Sequence, residues 1–154
     1  MKKLTRFLHL CLMSFAAVAP AYAAAPRATT APAEKSLYQR LSGYDTLAEV
    51  TDEFLTGLAS DPQLGRFFVG LSDDSKTRVR QHVIDFRCVA SGGPCKYTGR
   101  DMKTAHTGLN ISESDWNKSV QYLVGTLDQF KVPEREKGQV PGALSGLKSD
   151  IVGR

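Results

Sequence analysis

From residue 47 to residue 130, apolar side chains recur every three or four positions. Leu47, Val50, Phe54 and Leu58 do so first, and Val79, Val83, Phe86 and Ala90 repeat the step. Trp116, Val120, Leu123, Val124, Leu127 and Phe130 make the longest run. At 3.6 residues per turn, each set forms a stripe along one side of a helix, and each stripe must be covered by something. No segment keeps the period of two that a half-buried strand requires. The expected class is all-α, with five to seven helices.

Local signals place the boundaries. Thr46-Leu47-Ala48-Glu49 has the form of a capping box at the start of the first striped helix. Asp61-Pro62 is expected to open a short helix, because proline in the first turn loses no hydrogen bond. The next helix is expected over residues 74–91, with Asp73 and Asp74 complementing its dipole and Ser91-Gly92-Gly93-Pro94 ending it. A short helix follows near 101–108, and Ser112 to Asp115 caps the segment that carries Trp116. Pro133 starts a last helix, which Gly138, Pro141, Gly142 and Gly146 are expected to kink or fray.

A chain of 154 residues allows one small domain with an appendage. Residues 1–23 read as a cleavable signal peptide: a basic start with Lys2, Lys3 and Arg6, an apolar stretch from Phe7 to Val18, then Ala21-Tyr22-Ala23. That stretch is short for a membrane span, which needs about 20 residues. Residues 24–35, rich in Ala, Pro and Thr, read as a disordered linker, and residues 36–154 as the folded domain. The net charge is +4, and three of those charges belong to the leader. What remains offers no basic footprint for nucleic acid and no patch for a membrane surface.

Beyond the leader there are two histidines. His82 lies about 60° to one side of Val79 on the helical wheel, at the rim of the stripe. His106 shares a face with Met102 and Leu109. Two such imidazoles can meet across a pocket, although spacing alone favours a half-buried, hydrogen-bonded histidine over a ligand. The His-Glu-x-x-His and Cys-x-x-Cys-His patterns are absent, as are Gly-x-Ser-x-Gly and a phosphate loop. Cys88 and Cys95 flank the Gly92-Gly93-Pro94 reversal, which brings them within reach of a disulfide. Two unlinked thiols are the alternative.

Taken together, Leu37-Tyr38-Gln39-Arg40-Leu41, Asp61-Pro62-Gln63-Leu64-Gly65-Arg66-Phe67-Phe68, Gly92-Gly93-Pro94, Tyr97-Thr98-Gly99-Arg100-Asp101-Met102-Lys103 and Ala105-His106-Thr107-Gly108-Leu109-Asn110-Ile111 form an ordered pattern. In order and spacing, residues 37–152 resemble the truncated haemoglobins, group I in particular. The resemblance implies a two-over-two helical sandwich around haem b. It makes His106 the proximal iron ligand, Phe68 the aromatic against the porphyrin, Phe67 and Met102 further wall, and Tyr97 and Lys103 neighbours of the cofactor edge, with Lys103 pairing a propionate.

The distal side departs from that pattern. Where many relatives carry Phe-Tyr, this chain has Phe54-Leu55, and where they often place Gln it has Val79 and Val83. With Phe86 on the same stripe, the pocket is expected to be mostly apolar. His82 matches the position of a distal histidine that binds iron in some relatives when no gas is present. The resemblance therefore implies an exported, periplasmic globin that binds oxygen, nitric oxide or carbon monoxide, with His106 and His82 as metal ligands. The alternatives are a haem redox enzyme acting on nitric oxide or peroxide, which needs a reductase partner, and a helical scaffold without cofactor.

Overall fold

The structure, a computed structural model, describes residues 34–154. The expected signal peptide and most of the expected linker lie outside the described residues. Ser36 caps α1 (Leu37–Arg40), the first helix of the described residues. Its hydroxyl accepts from the Gln39 amide at 3.3 Å, while the Gln39 side chain accepts from the Ser36 amide at 3.1 Å. Ser42 and Gly43 then adopt left-handed φ of 66° and 84°, and this reversal feeds directly into α2 (Tyr44–Ser60). The helix thus starts two residues before Thr46. The expected Thr46–Glu49 box is not used, because the backbone turn at Gly43 replaces a side-chain cap.

Asp61 opens the next segment through its side chain: Oδ1 accepts from the amides of Gln63 at 2.8 Å and Leu64 at 3.0 Å. The turn so formed leads into a single 3-10 turn, Gly65–Phe68, rather than an α-helix. The long helix α3 spans Asp73–Ala90, with the Ser72 hydroxyl as its cap and both aspartates in its first turn. Gly92, at φ 78°, turns the chain, and the Gly93 amide closes back onto the Cys88 carbonyl at 2.8 Å. Cys88 and Cys95 are bridged across that corner, their Cα atoms 5.8 Å apart.

Asp101 caps α4 (Met102–His106), which is shorter than the expected 101–108. Ser112 and Asp115 form the expected capping box of α5 (Glu113–Gln129). The C-terminal segment breaks once, at Gly138 and Gln139, between α6 (Glu134–Lys137) and α7 (Val140–Ile151). Gly142 and Gly146 do not interrupt α7, and Pro141 falls in its first turn, where an amide is not needed. Seven α-helices and no strand are therefore present among the described residues.

Helix α2 packs on both α3 and α5, and α4 packs on α7. Val50, Leu123, Leu127 and Val132 form a small core that Leu41, Phe54, Phe130, Val140 and Leu144 surround. Buried acids are matched: Asp115 pairs with Arg66 at 2.7 Å, Glu136 with Arg40 at 2.9 Å, and Asp61 accepts from the Tyr122 hydroxyl at 2.9 Å. Burial would push the Asp115 pKa up. Hydrogen bonds from Ser112 and Gln63, with the Arg66 charge, outweigh it and hold the carboxyl at about 2.

Candidate functional site

Beside the small packed cluster of Val50, Leu123, Leu127 and Val132, the helices enclose a large cavity of about 1010 Å³. Residues from α2, the 3-10 turn, α3, α4, α5 and α7 line it, and its size matches the upper end of small-molecule and cofactor sites, about 300–1,000 Å³. The α3 stripe faces this space: Val79, Val83 and Phe86 all line it. The fully buried residues of α3 are instead Ile84 and Cys88, on its other side. What reads in the sequence as a core-facing stripe is the wall of a cavity.

Both predicted histidines line the same cavity. Asp101 fixes the start of α4, and the one turn that follows presents His106 from its last residue. The His106 Nδ1–H donates to the Met102 carbonyl at 2.7 Å, four residues back along the helix. That bond selects the tautomer, so Nε2 carries the free lone pair. A histidine tied in this way is oriented and electron-rich, the arrangement found at ligating imidazoles.

His82 differs. Its Nδ1 is buried and has no hydrogen-bond partner among the described residues, so none of them chooses its tautomer. The ring meets the edge of Tyr97 at a centroid separation of 6.0 Å and an angle of 77°, and Tyr97 meets Phe86 in the same manner at 5.5 Å. The Tyr97 hydroxyl is spent on the Arg100 carbonyl, and burial together with the Asp101 charge raises its pKa. Its part in the site is packing.

Phe67, Phe68, Tyr97 and Met102 line the cavity. Lys103 is exposed and does not line it, whereas Arg100 and Arg78, both exposed, do. Leu55 replaces a potential hydroxyl with an alkyl wall. Arg87, also on the lining, escaped the sequence reading, although it stands about 80° from Val79 on the flank opposite His82. That position mirrors His82 across the stripe, and the symmetry was the available signal. Among the described residues, no three of His, Cys, Asp and Glu gather as a cage for a bare metal ion. Two imidazoles in an apolar chamber suit a metal that arrives with ligands of its own.

The model of the bacterial-like globin family matches residues 36–152. The chain belongs to that family. It is 30% identical over 116 residues to the group 1 truncated hemoglobin GlbN of Mycolicibacterium paratuberculosis, covering 75% of this chain and 83% of that protein. Among solved structures, the truncated hemoglobin of Tetrahymena pyriformis superposes with a TM-score of 0.71 at 22% identity, over 78% of this chain and all of the other. The 2/2 hemoglobin from Synechococcus sp. PCC 7002, described with covalently attached heme, gives 0.70 at 25% identity over the same share of this chain and all of its own. The all-helical architecture is thus that of the truncated two-over-two globins, and the site is the cavity of a globin.

Proposed function

We propose that the protein binds haem b in this cavity and reversibly takes up a diatomic gas, oxygen, nitric oxide or carbon monoxide. The observation that carries this reading is the His106 Nδ1–H bond to the Met102 carbonyl, which leaves Nε2 as a ligand lone pair on an apolar cavity. Haem, when bound, would supply an iron atom able to take up a gas. His106 would hold the iron from one side. Phe67, Phe68 and Met102 would pack on the ring, and Arg78 and Arg100 supply cations for its carboxylates.

His82, on the same cavity, would be the second imidazole available to the iron. With an unassigned tautomer, its Nε2 either ligates or donates a proton, and with Nδ1 lacking an acceptor it is the weaker ligand of the two. We therefore assign it two roles, a labile ligand that would help hold the iron and a hydrogen-bond donor towards a bound gas, the second being a task the Leu55 side chain cannot perform. Export to the periplasm belongs to the same proposal; the Cys88–Cys95 bridge supports it, since such bridges persist in oxidising compartments.

Absorption spectra of the purified protein, oxidised and reduced, with and without carbon monoxide, test the reading. The expected result is a Soret band and a six-coordinate ferrous spectrum at neutral pH that carbon monoxide converts, with His82→Ala giving a five-coordinate one. A colourless protein that takes up no added haemin would overturn haem binding. A five-coordinate ferrous form that His82→Ala leaves unchanged would overturn the role of His82. The mass of the mature chain in a periplasmic extract checks export, and a retained leader in the cytoplasmic fraction would refute it.

A further inference from the structure

Arg87 is out of keeping with the rest of the molecule's electrostatics. The most deeply buried acids have partners: Asp115 has Arg66 and Glu136 has Arg40, and half-buried Arg80 and Asp52 pair with each other. Arg87 makes no ion pair among the described residues. Its guanidinium sits deep in the fold, and the side chain keeps some accessible surface because it borders the cavity.

Two neighbours hold it in place, and neither neutralises it. The guanidinium carbon lies 4.6 Å from the centre of the Phe54 ring. Nη1 donates to the Thr51 hydroxyl at 3.1 Å, and that hydroxyl is itself oriented by donating to the Leu47 carbonyl at 2.7 Å. Thr51 is fully buried, so the contact is a fixed one. Burial alone pulls the Arg87 pKa down, to about 10, with no acid pulling the other way. At neutral pH the group is a cation. Nε and Nη2 have no protein acceptor among the described residues.

We propose that Arg87, positioned by Thr51 and Phe54, forms a subsite for a small planar oxyanion of the nitrite or nitrate class inside the cavity. The chemistry of the fork selects the class. A guanidinium with two free parallel donors matches two oxygens of one planar anion. The surrounding wall, with Leu47, Phe54 and Val83, is apolar, so the guest must surrender its water cheaply. A weakly hydrated monoanion does so, and its single charge cancels that of Arg87. Sulfate and phosphate would bring an uncompensated second charge and a tightly held hydration shell. The subsite is independent of iron ligation by His106 and does not rest on the haem reading.

The test uses the mature protein carrying whatever haem it holds, melted in increasing sodium nitrate at constant ionic strength, with sulfate as balancing salt. Nitrate should raise the melting temperature with a saturable dependence. Arg87→Met should weaken the apparent nitrate affinity about tenfold or more, and Arg87→Lys, charged but without the fork, by less. A linear, unsaturable response, or one equal in wild type and Arg87→Met, would overturn the proposal. So would a response that appears only with haem dimethyl ester, because the native occupant would then be a haem carboxylate. The Soret band, read separately, reports whether haem binding itself holds.

Discussion

At the scale of single residues, the site turns on which ring nitrogen is tied down. His106 donates through Nδ1 to its own helix, so its Nε2 keeps a free lone pair, while His82 Nδ1, without a partner among the described residues, leaves that ring free to change role. His106→Gly should abolish the Soret band of the isolated protein, and millimolar imidazole should restore most of it by occupying the vacated volume; optical titration with imidazole checks this. Asp115 illustrates a residue whose role is stability. Its folded pKa of about 2 lies below the ordinary carboxylate value, so its contribution is complete above about pH 4 and is lost as pH falls towards 2. Asp115→Ala removes the Ser112 cap partner, the Gln63 bond and the Arg66 pair together, and should cost about 2–3 kcal/mol at neutral pH. Urea melts at pH 7 and pH 2.5 should show the gap between wild type and variant narrowing in acid.

At the scale of elements, the corner after α3 decides how the cavity wall meets the rest of the chain. A Cβ at Gly93 would stand 2.5 Å from the Tyr38 ring, 2.6 Å from the Cys88 sulfur and 2.9 Å from the Cys88 carbonyl oxygen. Gly93→Ala should therefore destabilise by about 1–3 kcal/mol, since ring, bridge and backbone cannot all move aside. The bridge closes a loop of small size, and the Cys88→Ser/Cys95→Ser variant should lose about 2–3 kcal/mol relative to the oxidised protein. Dithiothreitol should bring wild type to the same denaturation midpoint and leave the double variant unmoved. Much of this corner was legible in advance, because glycines, a proline and two cysteines each punctuate the chain by local chemistry. The start of α2 was less so: Thr46 and Glu49 satisfy a pattern, but the backbone at Ser42 and Gly43 had already turned. A capping box states what side chains are able to do and is silent on whether an earlier turn makes it unnecessary.

At the scale of the whole molecule, the apolar stripes are divided between a small packed core and a hollow. Periodicity revealed the stripes, yet could not say that Ile84 and Cys88 are fully buried behind α3 while Val79, Val83 and Phe86 front a chamber. A side chain facing a cofactor and one facing a neighbouring helix impose the same hydrophobic spacing. Only the order of motifs around His106 carried that distinction. Arg87 was hidden for a related reason: whether an arginine at a stripe's edge reaches water or a cavity depends on α2 lying beside it. The hollow has a thermodynamic consequence. A ligand that fills it binds the folded chain alone, and at a thousandfold excess over its dissociation constant it adds about 4 kcal/mol. Since 1 kcal/mol moves the melting point of a domain this size by about 4 °C, stripping haem from the purified protein should lower Tm by at least about 15 °C. The stripped form should also bind a hydrophobic dye, because the cavity wall then meets water. Calorimetry before and after reconstitution with haemin measures both states, and equal melting points would show that the chamber is filled by something else.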